Sequence, residues 1–333
     1  MRRSAFIIGG TGQLGRAAAH RLTEAGYTVT LGHRSSPPDD PDLRALGVTF
    51  QRLDRTDTTA LLRALDGYDL VVDAVAYTPA HGTQLTRLAG RVGSLVVIST
   101  GAVYQGPGLP VPITEDHPTI HRDTPDYPAQ KAALERLLLA TPDLPVSILR
   151  PGTLHGPHSA SLHQWTFIKR ALDKRPHVVL AYDGNSRFHT SAAANVAELI
   201  HLCAQQPATR VLNAADDDAL TVADIGARIF TLMGHHARIV TFPGPARDDG
   251  LGFNPWNVPE PIVFSMDRAR TELGYQQAIS YDDALLQDID WAIRAVTQAE
   301  ANGGTWHDAF PAMVTRYGPT GWFPYPAEDA YIG

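Results

Sequence analysis

Short apolar runs punctuate the first half of the chain, and most do not alternate with polar residues. Ala5-Phe6-Ile7-Ile8, Thr28-Val29-Thr30-Leu31, Val48-Thr49-Phe50-Gln51, Leu70 to Val75, Leu95 to Ser99 and Val146 to Leu149 each read as a strand. Helical spacing fills the gaps, over 16–25, 58–65, 84–91 and 127–140. Strands covered on both faces and alternating with helices predict an α/β protein with a doubly wound parallel sheet. Ligands of such sheets bind beyond the carboxyl ends of the strands. Past residue 150 the pattern is more mixed. Helices are expected over 195–203, 222–232 and 267–273, the last closed by Gly274, with a strand over 211–213. A Pro/Gly-rich loop over 243–261 carries Trp256, and the last thirty residues are rich in aromatics. No linker separates two cores. The expected organisation is a core over 1–155, completed by about 190–215, with a smaller, mixed substrate-binding or capping part over 156–333.

Composition narrows the setting. The chain has 333 residues, 44% hydrophobic and 19% charged, which is that of a globular protein. A net charge of −7 argues against a nucleic-acid surface. Cys203 is the only cysteine, so no intrachain disulfide forms and a reducing cytoplasm fits. No apolar run approaches the roughly 20 residues that cross a bilayer. The basic, then apolar, N-terminus meets glycines at once and reads as a first strand rather than a signal peptide. The partner expected is a small molecule, with neither nucleic acid nor membrane.

The turn Gly9-Gly10-Thr11-Gly12-Gln13-Leu14-Gly15 follows a strand and opens a helix. Glycines there let the backbone turn tightly and approach a pyrophosphate, which the helix N-terminus stabilises. An acid at the end of the second strand would accept from the adenosine ribose, but the chain reads Gly32-His33-Arg34. A guanidinium suits a 2′-phosphate, so NADP(H) is expected over NAD(H). Asp54, followed by Arg55, stands after the third strand, where a carboxylate can accept from the adenine amino group.

Tyr127 and Lys131 lie four residues apart at the start of a helix, on one face. A phenol is a poor base at neutral pH, and an adjacent ammonium favours its phenolate. With 11 Tyr and Lys only at 131, 169 and 174, about 0.1 such pairs are expected by chance.

Together these residues resemble the short-chain dehydrogenase/reductase superfamily, in its extended or atypical epimerase/dehydratase branch. The resemblance runs from about residue 4 to about 290. It rests on Gly9-x-x-Gly12-x-x-Gly15, Asp54, Asp73-Ala74-Val75-Ala76, Ser99-Thr100-Gly101-Ala102-Val103-Tyr104, Tyr127-x-x-x-Lys131, Leu149-Arg150-Pro151-Gly152 and Leu273-Gly274-Tyr275. It implies a Rossmann fold and an NAD(P)-dependent enzyme. It implies that Thr100 bonds the substrate oxygen, Tyr127 exchanges its proton, and Lys131 tunes Tyr127 and holds the nicotinamide ribose. Gln13, Leu14, Ala74, Val75, Ala76, Ser99 and Pro151 match cofactor-lining positions, beside Gly9, Thr11, Gly12, Gly15, His33, Arg34, Asp54 and Arg55. Family members pair through the Tyr-Lys helix, which here is apolar nearly all round, so a homodimer is expected.

The departures also carry information. Many family dehydratases have Asp-Glu after the catalytic Thr, and this chain has Gly101-Ala102, which rejects a sugar 4,6-dehydratase. Thr153 stands where nucleotide-sugar enzymes commonly have Asn. Arg187 matches a position that often binds a substrate phosphate. Thr153, His155, Trp165, Arg187 and Trp256 are the substrate-side candidates. His117 and His121 have a metal-ligand spacing, but Pro118 speaks against the helix it needs, and no metal is expected. The reading is an NADP(H)-dependent oxidoreductase acting at a carbonyl/secondary alcohol through a Thr-Tyr-Lys relay. The alternatives are a nucleotide-sugar-type epimerase with tightly held NAD(P), and a non-catalytic dinucleotide-binding regulator or RNA-associated protein.

Overall fold

The computed structural model of the chain describes residues 2–34, 40–106, 108–122, 124–320 and 322–333. The elements run β1 (Ser4–Ile8), α1 (Gln13–Glu24), β2 (Thr28–His33), α2 (Pro41–Ala45), β3 (Thr49–Arg52), α3 (Thr58–Leu65), β4 (Leu70–Asp73), α4 (Pro79–Thr86), β5 (Leu95–Ile98), α5 (Tyr127–Leu139), β6 (Val146–Pro151) and β7 (Thr153–His155). They continue α6 (Trp165–Leu172), β8 (His177–Leu180), β9 (Thr190–Ala192), α7 (Ala193–Gln205), β10 (Arg210–Ala214), α8 (Val222–Leu232), β11 (Arg238–Thr241), α9 (Asp267–Leu273), α10 (Tyr281–Ala301), α11 (Trp306–Ala309), α12 (Pro311–Tyr317) and α13 (Tyr325–Ile332).

Two compact units form. The first comprises Met1–Gly152, Ser191–Ala215 and Phe264–Ala278. It holds a seven-stranded sheet in the order β10-β6-β5-β4-β1-β2-β3, and every pairing is parallel. The order reverses between β1 and β4, where Ile8 pairs with Gly32 on one side and Asp73 on the other. That is the switch point at which such sheets take ligands. The central strands are buried throughout: Leu70–Asp73, Leu95–Ile98 and Val146–Pro151 have no residue at the surface. Phe6, Val71, Leu61, Leu85, Leu95, Leu134 and Ile148 share one core, and at roughly 25 cal/mol per Å² of apolar surface such side chains dominate the unit's stability.

The second unit comprises Thr153–Thr190, Asp216–Val263 and Ile279–Gly333. Trp165, Phe167, Trp256, Leu285, Ile289 and Trp322 belong to its core, and β8 and β11 form a separate parallel pair. The chain returns to the first unit twice after residue 152, so 264–278 joins the sheet unit as well as 191–215.

Three elements depart from expectation. The helix expected over 84–91 begins earlier, because Thr78 accepts from the His81 amide and Pro79 fits the first turn. Helix α10 is absent from the expected elements, yet Ser280 caps it and Leu285, Ile289, Ala292 and Val296 form its buried stripe. The C-terminal aromatics, expected over an apolar flank or a partner subunit, pack into their own unit. Phe310 lies edge-on to Trp165 at 5.0 Å, and Arg170 makes a buried pair with Glu328 at 2.7 Å.

Candidate active site

The carboxyl ends of β1, β4 and β5 carry the residues singled out above. Gly9 has φ +79°, and a Cβ there would meet Val75 Cγ1 at 2.7 Å. A Cβ on Gly15 would stand 2.4 Å from the Gly9 carbonyl oxygen. Gly9 therefore serves the left-handed turn and its close pass by Val75, and Gly15 the packing of α1 on the turn. Gly12 is different. It is exposed, and the nearest atom to a Cβ there is 3.5 Å away, so nothing in the protein itself demands glycine. It caps α1 without a side-chain bond, and the first turn holds no acid. An open approach to an uncapped helix N-terminus is the geometry a pyrophosphate needs. The residues present thus fit a dinucleotide.

The other cofactor candidates fall as follows. Leu14 is buried, Gln13 is half-buried, and the Thr11 carbonyl accepts from Arg16 Nε at 2.9 Å. Ala74 N–H donates to the Ile8 carbonyl at 3.1 Å, and Val75 N–H to Asp73 Oδ1 at 2.9 Å, which ties that segment to the switch point. The Ser99 hydroxyl, at the end of β5, is buried without a hydrogen-bond partner. Pro151 ends β6 opposite Ala214. Arg34 is exposed just past β2, while His33 is buried with its ring edge-on to Phe50. Asp54 accepts from the Thr56 amide at 2.9 Å and hydroxyl at 2.7 Å, which hold its carboxyl below the usual range. Arg55 is corrected. Its fork grips the fully buried Asp73 at 3.1 and 2.7 Å, so it braces the switch point.

Thr100, Tyr127 and Lys131 all belong to the sheet unit. Thr100 follows β5, and its hydroxyl accepts from the Ala102 amide at 3.2 Å. That bond uses a lone pair and leaves the hydroxyl proton available. Asp126 caps α5 by accepting from the Ala129 amide, and Pro128 suits the first turn, so Tyr127 opens the helix 48% exposed. One turn on, Lys131 is 2% exposed. Its Nζ donates to the carbonyls of Ala76 at 2.7 Å and Ile98 at 2.8 Å, and lies 5.8 Å from the Tyr127 ring centre. Burial pushes its pKa down to about 8, against the pull of Asp73 and Glu135. Beneath α5, Arg150 pairs with Glu135 at 2.6 Å and lies 4.8 Å over the Tyr104 ring, whose hydroxyl donates to Asn213. This buried cluster links the Thr100 turn to α5 and fixes their spacing.

Two residues here carried no signal of their own in the sequence. Tyr77 is 45% exposed and its ring centre is 4.6 Å from Lys131 Nζ. Phe264 lies over Gly101, where a Cβ would come within 2.2 Å of Phe264 Cζ. The aromatic ring fills the space an acidic side chain at 101 would need.

Three substrate-side candidates are buried. Trp165 and Trp256 are 1% and 0% exposed, and Trp256 stacks on Phe167 at 6.1 Å. His155 is sealed, with Nε2 2.7 Å from Asp216 and Nδ1 3.4 Å from Asp288. Burial alone would lower its pKa, but the two carboxylates outweigh it and hold the imidazolium to about 10. Thr153 is buried with an unpartnered hydroxyl, and Arg187 is exposed on its loop. Among the described residues no three His, Cys, Asp or Glu side chains group as a metal set, and no helix is long and apolar enough to cross a membrane.

Residues 5–215 match the NAD dependent epimerase/dehydratase family. The chain is 25% identical to the 4-hydroxy-2-methyl-3-oxo-4-farnesyl-3,4-dihydroquinoline-1-oxide ketoreductase of Stigmatella aurantiaca, over 84% of this chain and 94% of that one. It is 32% identical to the 2-alkyl-3-oxoalkanoate reductase of Stenotrophomonas maltophilia, over 60% and 64%. The structure of dTDP-glucose 4,6-dehydratase from Bacillus anthracis, in complex with NAD, superposes with a TM-score of 0.68 at 18% identity, covering 88% of this chain and 97% of that one.

Proposed function

The chain belongs to the NAD-dependent epimerase/dehydratase family, and from that premise we propose that it is an NADP(H)-dependent reductase of a carbonyl to a secondary alcohol. The observation that carries this reading is Lys131, buried with its ammonium on two neutral carbonyls close beneath the exposed Tyr127. A bound nicotinamide supplies or takes the hydride. The protein's part is the proton. Tyr127 passes it to the substrate oxygen, and the Lys131 ammonium stabilises the phenolate left behind. Thr100, its lone pair engaged by the Ala102 amide, turns its own proton toward that oxygen. Gly12 and the first turn of α1 hold the pyrophosphate, and Arg34 holds a 2′-phosphate.

Phe264 over Gly101 favours reduction over elimination of water, since no acid stands beside Thr100. Two relatives, named as a ketoreductase and an oxoalkanoate reductase, support the same choice. We further propose a homodimer through α5, where Leu137 and Leu139 are exposed, and sedimentation as a monomer at micromolar concentration would refute it. The test of function is consumption of NADPH against a panel of 3-oxo acids and cyclic aryl ketones. Turnover that survives Tyr127→Phe undiminished defeats the relay. Cofactor retained through purification, with no net absorbance change on adding substrate, points to an epimerase instead.

A further inference from the structure

We propose that Tyr77 is a positioning residue for Lys131, its ring face holding the ammonium protonated and in place beneath Tyr127. This rests on the reading of Tyr127 and Lys131 as a proton relay. Two of the three Lys131 protons are used on the Ala76 and Ile98 carbonyls. The Tyr77 ring centre lies 4.6 Å from Nζ, well inside the roughly 6 Å at which an aromatic face attracts a cation, and nearer than the Tyr127 ring at 5.8 Å.

The ring is placed by its own backbone. Its N–H donates to His81 Nδ1 at 3.0 Å, and the carbonyl one residue earlier is the one that Lys131 grips. The Thr78 hydroxyl accepts from the His81 amide, so the turn into α4 closes on itself. A tyrosine pinned on both sides yet left 45% exposed is not placed for core packing.

The groups acting on the ammonium are few. Asp73 on β4 and Glu135 on α5 favour the charged form, while burial and Arg55 after β3 oppose it. Tyr127 approaches from α5, and His81 on α4 is kept neutral chiefly by burial. Burial wins, and Lys131 sits near its titration point at about 8. There a cation–π contact bears on the protonation state, because it shifts the pKa by about half a unit to one and a half units.

The chain has only three lysines, at 131, 169 and 174, so ¹⁵N-lysine NMR can follow each ammonium through a pH titration. Lys131→Met assigns the signal. In Tyr77→Leu and Tyr77→Gln, Lys131 is expected to titrate about half a unit to one and a half units lower than in the parent, and in Tyr77→Phe at the parent value. An unmoved titration in both the Leu and Gln variants overturns the proposal. So does a Phe variant that shifts as far as they do, since that assigns the effect to the hydroxyl. The readout needs no substrate, so loss of the relay reading through an active Tyr127→Phe is a separate result.

Discussion

Each unit buries several basic side chains, and Lys131 in the sheet unit and His155 in the second are surrounded differently. Lys131 rests on two backbone carbonyls, and Asp73 and Glu135 fail to offset its burial. His155 is clamped between Asp216 and Asp288, with Thr190 also donating to Asp216 at 2.8 Å and the Gly156 amide to Asp288 at 2.9 Å. A buried charge matched by carboxylates is bound into the structure. One left undermatched beside two half-exposed phenols keeps its electrostatic influence for a third party. The contrast has a thermodynamic signature. Lys131 has a folded pKa of about 8, below its unfolded value of about 10.4, so the unfolded chain binds more protons across that window and this group's contribution to stability rises with pH through it. His155 has a folded pKa of about 10, above its unfolded value of about 6.5. Its contribution is complete below about pH 6.5 and is lost as pH rises through about 10.

The largest effect expected is on rate. Lys131→Met should lower turnover by about 10²–10⁴-fold. Its stability at pH 7 should change by only about 1–2 kcal/mol, because relief of a desolvated ammonium offsets two carbonyls left unpaired. His155→Asn should do the reverse. Removing the cation takes the partner from buried Asp216 and from Asp288, whose pKa burial already raises, and should cost about 3–5 kcal/mol, while turnover per folded molecule stays within about twofold. Thermal unfolding against pH, run beside initial rates, checks both. A His155 variant that folds normally but has lost turnover would erase the contrast between the units.

The same contrast governs what the sequence made readable. The sheet unit writes its strands as apolar runs, because parallel strands covered on both faces tolerate little else, and its glycines mark where backbone meets backbone. Tyr127 and Lys131 share one helix at a spacing that one helical turn enforces. Tyr77 was not, because its place over Lys131 depends on a turn meeting a helix 54 residues further on, which no local pattern encodes. Phe264 likewise reaches Gly101 from a distant stretch of chain. In the second unit, His155, Trp165 and Trp256 stood as substrate-side candidates because the resemblance places their segments on that side. Such a place does not mean exposure: Trp165 and Trp256 are core, and His155 is a buried polar residue. Helix α10 was there to be read in Ser280 and the stripe Leu285, Ile289, Ala292 and Val296, hidden among polar neighbours.

Smaller effects sharpen the picture of the sheet unit. Gly101→Asp sets a side chain against the Phe264 ring and should cost about 1–3 kcal/mol by overpacking, with no dehydration product gained. Chemical denaturation and product analysis test the two halves of that statement. Elimination of water by the variant would show that Phe264 yields, and that the missing acid alone separates this chain from a dehydratase.

The smallest effect concerns Arg34. It is exposed, it shares its surroundings with Asp54, whose carboxyl it helps to hold low, and no acid occupies the end of β2. A solvated guanidinium gains little from any one contact, but a phosphate offers it two parallel charge-assisted bonds. Arg34→Ala should therefore weaken NADP by about tenfold, near 1.4 kcal/mol, and leave NAD unchanged. Rising salt should narrow the gap between parent and variant, because an exposed pair is screened. Equal weakening of both dinucleotides would place Arg34 in the fold of the β2 end rather than on the 2′-phosphate, and would move the choice of cofactor to NAD.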